Sequence, residues 1–140
     1  MTLNEVQNQI VEEFSIFDDW MDKYEYIIEL GNDLGAYDER NKTVSNLIQG
    51  CQSRVWLNGE YDQGRIIFTA DSDAIITKGI IALLIRVLSG RTPSEVMNSE
   101  LYFIDKIGLK ENLSPTRANG LVSMIKNMKA YGLAYSLKEK

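Results

Sequence analysis

Apolar residues recur along this chain with two different periods, and the change of period divides it into three parts. Leu3, Val6, Ile10 and Phe14 fall at helical spacing and predict a short amphipathic first helix. Asp18 or Asp19 is placed to cap a second helix whose inward face carries Trp20, Tyr24, Ile27 and Ile28, with Gly31 expected to end it in the left-handed conformation. A polar connection follows, Asn32 to Thr43. The period then shortens: Val44–Gln49, Ser53–Tyr61 and Arg65–Ala70 are runs rich in β-branched and aromatic residues, which predict three short strands. Asp62-Gln63-Gly64 is preferred over Asn58-Gly59 as the hairpin turn, because it leaves two strands of matched length.

Helical spacing returns after residue 70. Asp71-Ser72-Asp73 offers capping oxygens for a helix over about 73–88, closed by Ser89-Gly90 and apolar on most sides, hence the central core helix. Thr92-Pro93-Ser94-Glu95 is a capping box with proline at the first helical position. Ser114-Pro115 repeats the device before a last helix with Leu121, Met124, Ile125 and Met128 on one face, a spacing typical of core filling. The expectation is one α+β domain over residues 1–140: a small three-stranded antiparallel sheet flanked by helices, in the order α-α-β-β-β-α-α-α.

Composition changes this picture chiefly by exclusion. The 140 residues contain one cysteine and no histidine. No internal disulfide can form, and Ser-His-Asp or Cys-His nucleophile pairs, His-ligated zinc, thiolate zinc sites and iron–sulfur ligation by this chain alone are all excluded. Asp71-x-Asp73 lacks the continuation of a calcium loop, since Ile75 and Ile76 stand where ligands and glycine belong. No apolar run approaches the roughly 20 residues of a membrane span, and the first residues lack a basic signal-peptide start; a cytoplasmic location is expected. The net charge of −5 is unevenly distributed, with eleven acids and one base in residues 1–39 against nine acids and fourteen bases after them. That asymmetry fits solvated acidic outer faces or a charged surface for a protein partner. Bases scattered rather than striped argue against nucleic acid.

Cys51, in Ile48-Gln49-Gly50-Cys51-Gln52-Ser53-Arg54, is thus the one sulfur available for covalent chemistry. A lone free cysteine is often a small buried hydrophobe. Against that reading stand its place between two expected strands, the conformational freedom of Gly50 and the polar neighbours Gln52 and Arg54. An unperturbed thiol near pKa 8.5 is only a few per cent thiolate at neutral pH, and no histidine can take its proton. Such a residue is poorly equipped as a self-sufficient enzyme and better suited to reacting with an electrophile that a partner brings. Asp71, Ser72 and Asp73 read most simply as caps. Arg117 stands in the first turn of the last helix, where a cation opposes the dipole, a misfit that makes a functional or buried ion-pair role an alternative to a plain surface residue.

The segment Asn46-Leu47-Ile48-Gln49-Gly50-Cys51-Gln52-Ser53-Arg54-Val55-Trp56 resembles the active-cysteine segment of SufE-type sulfur-acceptor proteins. Ala70-Asp71-Ser72-Asp73-Ala74-Ile75-Ile76-Thr77-Lys78-Gly79 and Leu113-Ser114-Pro115-Thr116-Arg117-Ala118-Asn119-Gly120-Leu121 resemble two further segments of that family, and Trp20 to Gly31 a fourth. Together they span about residues 14–128 in the family's order. The resemblance implies a fold shared with IscU-type scaffolds. It also implies that Cys51 accepts sulfur from a SufS-type cysteine desulfurase, stimulates that enzyme, and passes the sulfur to a SufBCD-type scaffold for iron–sulfur cluster assembly. Pyridoxal phosphate would belong to the desulfurase, with no cofactor in this chain. Gly50, Gln52, Asp71, Asp73 and Arg117 are carried as candidates for partner binding or loop positioning. The resemblance further implies that the cysteine loop can tuck its sulfur into an apolar cavity until docking. The alternatives are a non-carrying interaction module of the same fold and a stand-alone thiol redox protein.

Overall fold

The computed structural model describes residues 1–139. Two helices open the chain, α1 (Leu3–Phe14) and α2 (Trp20–Asn32), followed by two 3-10 turns, Glu39–Asn41 and Val44–Asn46. Strands β1 (Val55–Asp62) and β2 (Arg65–Ser72) come next, then α3 (Ile75–Leu88), α4 (Pro93–Asn98), α5 (Phe103–Lys106), α6 (Leu109–Asn112) and α7 (Pro115–Lys138). The class is α+β, as the change of period implied. The sheet, however, has two antiparallel strands among the described residues rather than three. Of the first expected strand, Val44–Asn46 forms a 3-10 turn, and only a single bridge, Leu47 to Trp56, joins it to β1. The cause lies outside the segment: Val44 is 84% exposed, so its apolar side chain meets no sheet partner that would hold the segment extended. Among the described residues five helices rather than three follow the sheet, because the stretch between α4 and α7 folds as two single-turn helices.

The hairpin turns at Gln63-Gly64, where both central residues have positive φ (49° and 82°), the twist that suits a two-residue loop. Asn58 and Gly59 stay inside β1 opposite Thr69 and Phe68. One sheet face packs Val55, Leu57, Ile66, Phe68 and Ala70 against α3, which is buried along most of its length and contacts α1, α2 and α7. The expected stripe of α1 is buried as read, and so are Leu121, Met124 and Met128 of α7.

Two expected caps are replaced by other devices. Gly31 does not adopt the left-handed conformation; α2 runs on to Asn32, and Gly31 instead lets α2 and α3 touch. A Cβ on Gly31 would lie 2.8 Å from the Gly79 nitrogen, and one on Gly79 would lie 2.1 Å from the Ile27 carbonyl oxygen. Nor do Asp71 and Asp73 cap α3, whose N-cap is Ala74 with no side-chain bond. Ser72 Oγ accepts from the Ala74 amide, while both aspartates are engaged elsewhere, as described below. The capping box of α4 and the Ser114 cap of α7 form as expected, and α1 starts with a further capping box, Thr2 with Glu5.

Candidate functional site

Residues 49–54 form a loop closed at its base by the Ile48 amide donating to the Val55 carbonyl at 2.8 Å. This bond belongs to the antiparallel Leu47–Trp56 bridge, the single pair that closes the loop. The far side of the base is pinned by Asp73, whose carboxylate accepts from the Arg54 amide at 3.0 Å while its own amide donates to the Arg54 carbonyl at 3.2 Å. The same carbonyl accepts from Ser72 Oγ at 2.8 Å. Asp73 is therefore a clamp between the loop and the start of α3.

The tip of the loop lies against α7 at glycines. Gly50 has φ 91°, a conformation that L side chains rarely adopt, and a Cβ there would stand 2.5 Å from Ser123 Oγ. Cys51 rests over Gly120, its Sγ 3.7 Å from the Gly120 carbonyl oxygen, a weak S–H donor contact. A Cβ at Gly120 would stand 3.4 Å from Sγ, ordinary van der Waals contact, so the sulfur packs directly on this turn of α7. Cys51 is half-buried, and this burial pushes the thiol above its ordinary pKa, so the resting sulfur is protonated at neutral pH.

Beside Cys51 opens a cleft of about 170 Å³ between the loop, α3 and α7. Ala74, Ile80, Gly120 and Met124 make its apolar surface, and Gln52, Ser53, Thr77, Thr116 and Arg117 its polar one. Ser53 and Thr77 satisfy one another through their hydroxyls at 3.1 Å. Arg117 is exposed and donates to Tyr24 Oη at 3.3 Å, reaching across from α7 to α2. Among the described residues no carboxylate pairs with it.

Of the residues singled out in the sequence, Cys51, Gln52 and Arg117 line this cleft, with Gly50 shaping the loop and Asp73 holding its base. Asp71 does not line it. Its carboxylate sits between Lys42 at 3.0 Å and Lys78 at 3.4 Å, with the Lys42 ammonium also over the Trp56 ring. Burial alone would raise the Asp71 pKa, but the hydrogen bonds from Lys42 and the Ser72 amide, with the charge of Lys78, carry it below the usual value. Asp71 thus ties the 3-10 segment before the loop to β2 and α3. Ser53, Thr77, Thr116 and Ser123 carried no sequence signal, because hydroxyl residues near a helix or a turn are too common to be informative. Gly120, a glycine inside the helical pattern of the last segment, is where the Cys51 side chain packs on α7. No cluster that could hold a metal ion occurs among the described residues, and no helix there is long and apolar enough to cross a membrane.

Fold and site together define a small α+β protein that keeps a single thiol half-sunk beside a cleft with a cationic edge. A family model described as "SufE: Fe-S metabolism associated domain" matches residues 8–132. The chain belongs to the SufE family, which is associated with iron–sulfur metabolism. It is 41% identical to an uncharacterised SufE-like protein of Rhizobium meliloti over 88% of this chain and 91% of that one. It is 36% identical to another of Synechocystis over 92% and 81%. SufE-like protein 1, chloroplastic/mitochondrial, of Arabidopsis thaliana is 37% identical over 93% of this chain, which spans only 35% of the plant protein. The solution structure of a hypothetical protein from Thermus thermophilus superposes with a TM-score of 0.75 at 18% identity, covering 92% and 94% of the two chains, a likeness of fold.

Proposed function

We propose that this protein is a sulfur carrier. Cys51 takes the terminal sulfur of a persulfide held by a SufS-type cysteine desulfurase, stimulates that enzyme by clearing its persulfide, and hands the sulfur on to a SufBCD-type scaffold for cluster assembly. The observation that carries the reading is the setting of Cys51: one thiol, half-buried on a loop, with no imidazole anywhere in the chain to act as its base. In the transfer step the Cys51 thiolate attacks the outer sulfur of the donor persulfide. A new S–S bond forms at Cys51, the donor's S–S bond breaks, and its electron pair leaves on the donor thiolate, which takes up the proton released from Cys51. No net oxidant or reductant is needed. The donor cysteine supplies the electrophile, so the carrier needs only an accessible sulfur and a matching surface. Between transfers, a protonated and recessed thiol is shielded from the oxidation ladder that exposed thiolates climb.

The test is intact mass after incubation with a pyridoxal-phosphate SufS-type desulfurase and free cysteine. The expected result is a gain of one sulfur on the wild-type chain that reductant removes and that Cys51→Ser never acquires. If Cys51→Ser still stimulates the desulfurase as strongly as wild type, the chain is a non-carrying interaction module. A stable sulfenic acid under mild peroxide, with no sulfur uptake from an active desulfurase, would instead identify a thiol redox protein.

A further inference from the structure

The cleft beside Cys51 is larger than storage of one added sulfur requires. A water-sized sphere occupies about 10–15 Å³ of such space, whereas the cleft measures about 170 Å³. Pockets for drug-sized ligands begin at about 300 Å³. The space therefore suits a compound of several heavy atoms, about the size of a free amino acid. Its walls are differentiated along their length. The sulfur of Cys51 and the surfaces of Ile80, Gly120 and Met124 are apolar, while Arg117 brings a guanidinium that bonds within the protein only to Tyr24 Oη among the described residues. A guanidinium has five donors in a fork matched to a carboxylate, and most of these are free here.

We propose that the cleft admits a small carboxylate-bearing persulfide, of which cysteine persulfide is the simplest, as a direct sulfur donor to Cys51, with Arg117 binding the carboxylate. This rests on the reading of Cys51 as a sulfur acceptor and adds a second kind of donor to it. The Cys51 thiolate attacks the outer sulfur of the small persulfide, the S–S bond within that molecule breaks, and free cysteine thiolate leaves and is protonated. Attack on the inner sulfur would instead leave a mixed disulfide and release hydrosulfide. The two products differ in mass, so the direction of attack is read in the same measurement.

The experiment compares cysteine persulfide with cysteamine persulfide, which differs from it only in lacking the carboxylate. Each is mixed with the full chain, and the appearance of the one-sulfur adduct is followed by intact mass. Each rate is divided by that of the same chain unfolded in urea, which removes the intrinsic reactivity of the two donors. Folded wild type is expected to favour cysteine persulfide by about tenfold, the scale of one charge-assisted carboxylate pair. Arg117→Gln should bring this ratio to about one and Arg117→Lys should restore part of it. A purely structural role for this exposed side chain would change both donors alike and leave the ratio intact. A ratio near one in wild type, or mixed disulfide as the main product, overturns the proposal. A desulfurase-driven arm on wild type separates the two ideas. Sulfur uptake from the enzyme with no preference between the small donors sinks the second donor and leaves the carrier reading standing, while failure of both arms removes both.

Discussion

Gly50→Ala isolates the part of the fold that holds the Cys51 sulfur. The residue has φ 91°, and an added methyl would stand 2.5 Å from Ser123 Oγ. A non-glycine residue held in the left-handed region costs roughly 1–2 kcal/mol. That strain can be relieved locally, because residues 49–54 are closed at their base and their tip rests on α7 mainly at the two glycines, Gly50 and Gly120. Lifting the tip gives up the weak Sγ contact to the Gly120 carbonyl and little else among the hydrogen bonds. The population of the lifted loop should therefore rise by about 5- to 30-fold, the factor that 1–2 kcal/mol represents. The assay is the rate of Cys51 alkylation in the folded protein as a function of pH, read beside a urea unfolding curve. Labelling should accelerate by that factor, and its pH midpoint should fall, because burial is what raises the thiol's pKa and lifting removes it. Adding Ser123→Ala to the variant relieves the clash but not the backbone strain, so most of the acceleration should persist. If Gly50→Ala labels at the wild-type rate while losing the full strain energy in global stability, the loop does not detach on its own and the reasoning fails.

Other consequences follow from neighbouring contacts. Gly79→Ala should destabilise by about 3 kcal/mol in chemical denaturation despite its gain in helix propensity, since the new methyl meets the Ile27 carbonyl, which is backbone and cannot rotate away. Gly35→Ala, with open space around it, should stay within about 0.5 kcal/mol of wild type. Asp71 is held below its ordinary pKa, so its stabilising contribution is present above the unfolded value and lost as pH falls through the folded one. Asp71→Asn should accordingly flatten the acid limb of stability against pH and weaken its dependence on salt; an unchanged acid limb would show that the Lys42–Asp71–Lys78 cluster contributes nothing. Tyr135→Phe, which removes a 2.8 Å hydrogen bond to the Gly59 carbonyl on the edge of β1, should cost about 1 kcal/mol in the same unfolding assay.

How far the fold was legible depended on how local its causes are. The α1 stripe, the buried α3, the Gln63-Gly64 turn and the Thr92 and Ser114 caps rest on interactions between residues a few positions apart, which periodicity and capping chemistry report directly. Val44–Gln49 reads like a strand because β-branched residues favour extended backbone. It fails as one because a strand exists only where a neighbour hydrogen-bonds to it, and the chain supplies that neighbour at a single bridge. Gly31 shows the same limit from the other side. Glycine near a helix end is equally consistent with a cap and with a close helix crossing, and only the presence of Gly79 on α3 decides for the crossing.

The sequence by itself limited the chemistry open to this protein: with one cysteine and no histidine, any thiol chemistry is confined to Cys51 and has no internal imidazole base. It also carried the family likeness, since the segments around Cys51, Asp73 and Arg117 are contiguous. Only the tertiary structure decided what surrounds the sulfur. The loop, α3 and α7 converge from three separate parts of the chain to form the cleft, Arg117 reaches its edge from α7, and Asp71, close in sequence to the clamp at Asp73, belongs to a different cluster. Burial and the shift it imposes on the thiol are properties of that convergence, because a dielectric environment is set by every chain segment that excludes water and by none of them alone.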